Sequence, residues 1–217
     1  NNQLSGTIPT ELGSLAALTS MDLSRNILSG PIPATIGLLS NLTYLAAEAN
    51  RLTGFPTEMG MLQNLEILDL ELNPMKVNLT SEIGMMTSLR EMVLALCDFQ
   101  GTIPTTLGNL AEIRNLNLQR NSLTGPLPSE IGKLQQLETL DITVNLLSGQ
   151  LPGELANMTR LRRFEAGGTK FSGSIPEQMC ANASRYDALE LDCDEVVCAC
   201  CTVCCDVDQS CFLGDIR

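Results

Sequence analysis

One small polar position recurs through almost the whole chain at a fixed spacing. The residues in this register, separated by steps of 24, 24, 23, 24, 24, 24 and 24, are Asn2, Asn26, Asn50, Asn73, Cys97, Asn121, Asn145 and Thr169. A repeat in this range predicts a solenoid, in which each repeat is one coil stacked on the next. Such a fold has no single deep core, so function is expected on one of its long repeated faces.

The apolar residues repeat in the same register. The stretch "LTSMDLSRNILSGPIPATIGLLS" returns as "IRNLNLQRNSLTGPLPSEIGKLQ" and as "LETLDITVNLLSGQLPGELANMT". Met21 and Leu23 alternate with polar residues, which predicts a short strand in each coil. Neighbouring coils then place these strands side by side in a parallel sheet, and stacking buries the apolar side that one coil cannot bury alone.

The shared pattern L-x-x-L-x-L-x-x-N-x-L-x-G-x-I-P-x-x-L-G-x-L resembles the plant-type leucine-rich repeat. The resemblance covers residues 1–180, about eight repeats, and leaves residues 181–217 as a Cys-rich C-terminal cap. It implies an α/β solenoid: a right-handed superhelix with a concave parallel β-sheet and short helical or 3-10 turns on the convex side. Because the chain starts inside a repeat, at "NNQLSG", the N-terminal cap is expected to be missing.

The Asn register has a physical reason. After each strand the chain turns inward, and an amide side chain supplies the donors and acceptors that the buried backbone then needs. Cys97 replaces Asn once, so we expect a buried structural thiol there rather than a reactive one. A glycine follows seven of the eight register positions at the start of the next turn, which indicates a tight turn or a close backbone approach.

The pattern breaks in the turn that follows Asn73. There the sequence reads "NPMKVNLTSEIG", with Val77 in place of Gly and Thr80 in place of Pro, and the preceding turn is one residue short. The second short strand, which the resemblance places after the register position, is therefore expected to be interrupted or bent. The break is equally compatible with a functional role and with sequence drift.

Eight of the nine cysteines lie near the C-terminus: Cys180, Cys193, Cys198, Cys200, Cys201, Cys204, Cys205 and Cys211. An even, dense set favours disulfides, with 105 possible pairings if four form. A metal-thiolate cluster is the alternative, but the chain lacks His and separated C-x-x-C pairs. The segment "VVCACCTVCC" also resembles the Cys-rich end of leucine-rich repeat proteins from diatoms and related algae, which implies a secreted or membrane-anchored protein.

Four N-x-S/T sequons accompany these cysteines, at Asn41, Asn78, Asn157 and Asn182. Each could arise by chance in an Asn-rich repeat. Asn41 and Asn157 are expected just before the first Leu of a strand, and Asn78 lies in the broken turn. Together with a disulfide-type cap, the sequons predict an extracellular location, secreted or at the cell surface, with any membrane anchor outside this sequence.

Composition excludes several functions. The net charge of −12 argues against nucleic-acid binding, which needs a basic face. With no His and no Gly-rich phosphate loop, the usual nucleophilic and nucleotide-binding schemes are absent, so neither an enzyme nor a cofactor is expected. No apolar run reaches about 20 residues, the length that spans a membrane.

A candidate binding site follows from the strand positions that face outward. Apolar side chains cluster there over three adjacent coils, at Tyr44, Ile67, Leu72, Val93, Ala95 and Leu96, and carboxylates border them at Glu48, Asp69, Glu71 and Glu91. An exposed apolar patch often marks an interaction site, and the acidic border suits a basic or amine-bearing protein or peptide. The alternatives are that Leu72 and Leu96 fold under a neighbouring loop, and that Glu48, Asp69 and Glu71 hold a calcium ion.

The sequence therefore favours an extracellular recognition module, receptor-like or secreted, that binds a protein or peptide on its concave face. Two other functions remain open. One is a structural or adhesive glycoprotein that binds polysaccharide. The other is a secreted inhibitor of a wall-degrading hydrolase, which rests on analogy of fold alone.

Overall fold

A computed structural model of the chain describes residues 2–192, 196–198, 200–205 and 211–213, with side chains for all of these except 203–205 and 211–213. One sheet runs the length of the solenoid. Its ten described strands are Ser20–Asp22, Tyr44–Ala46, Ile67–Asp69, Glu91–Val93, Asn115–Asn117, Thr139–Asp141, Arg163–Glu165, Ala188–Asp192, Val203–Cys205 and Cys211–Leu213. Each strand pairs in parallel with the next, and only the last pair is antiparallel. The predicted solenoid with a concave parallel sheet is confirmed.

A second row of shorter strands follows the register positions. The first three pair as Ser5–Gly6, Ile27–Gly30 and Arg51–Leu52, the next four as Gln100–Thr102, Ser122–Gly125, Leu146–Gly149 and Lys170–Phe171, and a last pair joins Gly173–Ser174 to Val196–Val197. Between Leu52 and Gln100 the row is interrupted, with a single bridge from Asn78 to Gln100. The predicted break after Asn73 is therefore confirmed.

Short helices close each coil on the convex side. The 3-10 helices are Thr10–Ser14, Ala34–Leu38, Thr57–Met61, Ser81–Met85, Thr105–Asn109, Ser129–Lys133, Gly153–Asn157 and Ala183–Arg185, and one α-helix spans Glu177–Ala181. Pro precedes most of them, because its fixed φ suits the residue just before a helix. Within the described residues, no helix has the length and apolar composition needed to cross a membrane.

The register side chains form the hydrogen-bonded column that the sequence predicts. The amide oxygen of Asn50 accepts the N–H of Leu28 in the preceding coil at 3.0 Å, and its amide nitrogen donates to the carbonyl of Leu23 at 2.9 Å. Cys97 is buried, and its Sγ donates to the carbonyl of Leu70 at 3.0 Å. Burial raises the pKa of this thiol to about 12, so it stays protonated and unreactive, as expected of a structural cysteine.

The residue before each register position from Asn26 to Asn145 adopts a left-handed backbone. The φ angles lie between 52° and 58° for Arg25, Ala49, Leu72, Leu96, Arg120 and Val144. This conformation costs a residue with a Cβ about 1–2 kcal/mol, and a β-branched side chain makes it rarer still. The turn recurs because its N–H groups reach the next coil, as the N–H of Val144 does on the carbonyl of Gly167 at 2.8 Å.

Val144→Asn is expected to raise the free energy of unfolding by about 1 kcal/mol, because Asn tolerates the left-handed region far better than Val. Urea denaturation followed by circular dichroism measures the change. Val77→Asn is the matched control, since Val77 is also half-buried but is absent from the residues with positive φ. A loss of stability in both variants would show that strain at Val144 is negligible.

The cap covers the last coil with the strand Ala188–Asp192, beyond which Val203–Cys205 and Cys211–Leu213 extend the sheet, and with disulfides. Leu189 and Leu191 of Ala188–Asp192 are fully buried. Disulfides join Cys180 to Cys200 and Cys198 to Cys201. Cys193 and the side chains of Cys204, Cys205 and Cys211 lie outside the description. The boundary between residues 1–180 and 181–217 remains a prediction, and the helix Glu177–Ala181 crosses it.

Candidate functional site

The predicted outward positions meet on three adjacent strands of the main sheet. The parallel register places Tyr44 beside Ile67 and Ile67 beside Glu91, and it places Asp69 beside Val93. All of these side chains are half-buried. We call the surface formed by Tyr44, Glu48, Ile67, Asp69, Glu71, Leu72, Glu91, Val93 and Leu96 the concave patch. The backbone period of two brings those members that lie within strands, Tyr44, Ile67, Asp69, Glu91 and Val93, to the same face.

Leu72 and Leu96 supply the most exposed apolar surface of the concave patch. Leu72 is 49% exposed and Leu96 is 38% exposed, so they do not fold under a neighbouring loop. Ala95, by contrast, is completely buried, and its prediction as an outward residue was wrong. Strand geometry ends at Val93, and Ala95 lies beyond it, at the position where the two preceding coils carry half-buried Glu48 and Glu71. Strict alternation therefore fails beyond the strand.

Three carboxylates stand together at the edge of the concave patch. Glu48, Asp69 and Glu71 each place one oxygen within 4.8 Å of the others, and we call them the carboxylate cluster. Arg25 binds Glu48 at 2.7 Å, while Asp69 and Glu71 have no basic partner among the described residues. Burial and the neighbouring Glu48 raise the pKa of Asp69 to about 6, against the opposing hydrogen bond from the N–H of Glu71. Asp69 thus changes charge near neutral pH.

Asp69→Asn is expected to stabilise the protein at about pH 7.5 by about 1 kcal/mol, a figure reduced for the exposure of this site. Because the folded-state pKa lies above the ordinary value of 3.8, stability from this group is present at low pH and lost as pH rises through 6. The neutral Asn removes that loss and keeps an oxygen for the N–H of Glu71.

Thermal unfolding at several pH values measures this effect. At about pH 3, below the ordinary value of 3.8, the wild-type carboxyl is protonated in both the folded and the unfolded state, so the variant and the wild type should then unfold at similar temperatures. Glu138→Gln, an exposed site outside the concave patch, is the control and should change neither temperature. An equal gain in stability at both pH values would contradict the raised pKa.

A groove borders the carboxylate cluster on its Arg25 side. It measures about 520 Å³ and is lined by Arg25, Asn26, Glu48, Ala49, Glu71 and Leu72. Arg25 was not predicted from the sequence as a member of this site. The repeat register could have identified it, because Arg25 occupies the left-handed position that Ala49 holds one coil later and Leu72 two coils later.

The four predicted glycosylation positions are all exposed, and glycosylation there remains a prediction. Asn41 lies just before a buried Leu, as expected, and its amide donates to the carbonyl of Ala16 at 2.8 Å. The expected place of Asn157 was wrong. It is the last residue of the 3-10 helix Gly153–Asn157, three residues earlier in the coil than the position of Asn41.

Comparison with known proteins agrees with this architecture. The family model described as Leucine Rich Repeat matches residues 17–39, 112–134 and 136–158. No curated protein sequence matches the chain. Among solved structures, the ectodomain of the Arabidopsis thaliana membrane receptor kinase GASSHO1/SCHENGEN3, in complex with CASPARIAN STRIP INTEGRITY FACTOR 2, is 37% identical with a TM-score of 0.83. That match covers 88% of this chain and 23% of the ectodomain.

Two further structures extend the comparison. The ectodomain of the Arabidopsis receptor kinase HAESA, in complex with an extended IDA peptide hormone, is 33% identical with a TM-score of 0.81 over 88% of this chain and 32% of its own. A repeat protein of Leptospira interrogans is 33% identical, with a TM-score of 0.74 over 86% of this chain and 46% of its own. The chain thus spans less than half of each of these proteins.

The fold defines a repeat solenoid with a concave parallel sheet and a disulfide-bonded C-terminal cap. The repeats and their relatives make the chain a leucine-rich repeat protein of the plant type.

Proposed function

We propose that this chain is an extracellular, non-enzymatic recognition module that binds a peptide or protein ligand on the concave patch. The observation that carries the proposal is the exposed pair Leu72 and Leu96, held on adjacent coils beside half-buried Tyr44, Ile67 and Val93. Exposed apolar side chains lose contact with water when a partner covers them, so such a cluster favours association.

The relatives support the same class of function. The receptor ectodomains of GASSHO1/SCHENGEN3 and HAESA were solved with a peptide hormone or an integrity factor bound. A buried thiol with a pKa of about 12 gives Cys97 no nucleophilic role, and the chain has no His. The disulfides of the cap are compatible with an oxidising extracellular compartment.

Selection from a library of random dodecapeptides against the immobilised protein tests the proposal. We expect the selected peptides to lose most of their affinity for Leu72→Asn and for Leu96→Asn, because Asn removes the apolar surface but tolerates the left-handed backbone. Val144→Asn is the matched control, at the equivalent position of another coil with φ 52°. Circular dichroism verifies folding. Unchanged binding by folded Leu72→Asn and Leu96→Asn would place the ligand elsewhere.

A further inference from the structure

The groove beside the concave patch combines two kinds of wall. Leu72 and Ala49 give it an apolar side, and Glu48 and Glu71 give it a carboxylate side. Arg25, which pairs with Glu48, and Asn26 complete the lining. Both leucines of the concave patch lie within one coil of this groove. A ligand group that fits such walls has an aliphatic stem and a positively charged end, because the stem can lie along the apolar side while the cation meets the carboxylates.

We propose that this groove is a subsite for a lysine side chain of the peptide ligand, and that protons compete with the lysine for the carboxylate cluster. The inference rests on the proposed function, since it assigns one side chain of the ligand that the concave patch binds. An ammonium group is favoured over a guanidinium because the three carboxylate oxygens converge within 4.8 Å, and a compact charge can approach all of them.

Most of the charged groups around the carboxylate cluster are negative. The titratable and charged groups that face it are Asp22, Tyr44, Glu48, Glu71, Glu91, Asp98, the Cys97 thiol and, beyond Glu48, Arg25. Arg25 is the single cation in that set, and it is committed to Glu48 at 2.7 Å. The cluster therefore retains surplus negative charge that an incoming ammonium can neutralise.

Proton competition follows from the same crowding. At neutral pH the cluster holds three carboxylates with one ion pair, and the pKa of Asp69 near 6 shows that the cluster takes up a proton as pH falls. A bound lysine supplies the positive charge instead, so it should lower that pKa and release the proton. Binding of the cation is accordingly strongest above pH 6 and weakens as pH falls through that value.

Two matched probe peptides test the proposal: acetyl-Leu-Lys-Leu-amide and the same peptide with norleucine, which keeps the stem but lacks the ammonium. Titration followed by NMR of the Leu72 and Leu96 methyl groups gives both affinities. At about pH 7.5 we expect the lysine peptide to bind about tenfold more tightly than the norleucine peptide, because each of two half-exposed ion pairs raises the affinity about threefold. At about pH 5 the preference should fall to about threefold, as Asp69 is then neutral.

Variants separate the lysine subsite from general apolar binding. Glu71→Gln should weaken the lysine peptide about threefold and leave the norleucine peptide unchanged, whereas Glu138→Gln should affect neither. Leu72→Asn should weaken both peptides. Equal affinity of the two peptides would overturn the lysine subsite while leaving the proposed function intact. Failure of both peptides to bind at millimolar concentration would also overturn it, and the dodecapeptide selection judges the proposed function independently.

Discussion

Asn145→Ala is expected to lower the free energy of unfolding by about 4 kcal/mol, because it leaves buried backbone groups of two coils without partners. Asn145 is 4% exposed, and its amide oxygen accepts the N–H of Leu123 at 3.1 Å. Its amide nitrogen donates to the carbonyls of Leu118 at 3.0 Å and Ile142 at 3.1 Å. The N–H of Leu123 and the carbonyl of Ile142 each cost about 1–3 kcal/mol when left buried and unpaired, whereas the carbonyl of Leu118 keeps the amide of Asn121 at 2.9 Å. Urea denaturation measures the loss.

Two other variants make this prediction specific. Asn64→Ala also removes an amide bond between coils, to the carbonyl of Ser40 at 2.8 Å, but that bond is exposed to solvent and its loss should cost less than about 1 kcal/mol. Asn145→Cys should fall between the two, since Cys97 shows that a thiol can donate to the same carbonyls but offers no amide oxygen. Equal losses for Asn145→Ala and Asn64→Ala would refute the role of the buried column.

This column is the part of the fold that the sequence predicted most fully. A spacing of about 24 residues is typical of stacked coils, so it identified the buried register and the thiol that replaces one Asn. Asp192 lay beyond that register and was missed. Its carboxylate accepts the N–H groups of Gly168 at 2.8 Å and Thr169 at 2.9 Å, which ends the column at the cap. An acidic residue in a Cys-rich segment gave no sign of this structural role.

The glycines of the convex helices show a detail of the fold that the sequence alone could not predict. The sequence shows Gly in "ELG", "TIG" and "EIG", but not what it avoids. A Cβ at Gly60 would lie 2.6 Å from the carbonyl oxygen of Glu82, and a Cβ at Gly84 would overlap the carbonyl of Thr106 in the next coil. The requirement comes from the distance between coils rather than from any local turn. Both glycines lack the positive φ of Gly54.

The concave patch was predictable only in part. Period-two alternation correctly grouped Tyr44, Ile67 and Val93, because these residues lie within strands. Beyond the strands the left-handed turn decides exposure, which alternation cannot read. It exposes Leu72 and Leu96, whereas Ala95 is buried although Glu48 and Glu71 hold the same place in their coils and are only half-buried. The charge state of Asp69 was equally out of reach, because it depends on burial and on distances across coils.

The interrupted coil also has a physical explanation in the structure. In regular coils an amide oxygen of the next register residue accepts a backbone N–H, as Asn73 accepts that of Leu52 at 2.9 Å. Cys97 has no such oxygen, and the N–H of Met75 bonds to the backbone carbonyl of Cys97 at 2.9 Å instead. Pro74 further removes a donor from this segment. The loss of the second strand and the replacement of Asn by Cys therefore occur together.

Removal of the disulfide Cys180–Cys200, in the double variant Cys180→Ala with Cys200→Ala, should destabilise the cap by about 3 kcal/mol. The two cysteines are 20 residues apart, and closing a loop of that length removes considerable entropy from the unfolded chain. The bond also fastens the helix Glu177–Ala181 to the segment that covers the last coil. Hydrogen exchange of residues 177–192 measures the change, because local opening of the cap exposes these amides first.

Removal of Cys198–Cys201 provides the comparison. These cysteines are three residues apart, so the same loop-closure relation gives only about 1.5–2 kcal/mol for the double Ala variant. Cys201 is 4% exposed, so removal of its sulfur also leaves a space that lowers the packing energy of the cap. Ser in place of Ala would not recover that energy. Alkylation and mass spectrometry of each variant verify that the other bond is intact. If Cys198–Cys201 proved the more costly of the two, packing of the sulfurs rather than restriction of the unfolded chain would hold the cap closed.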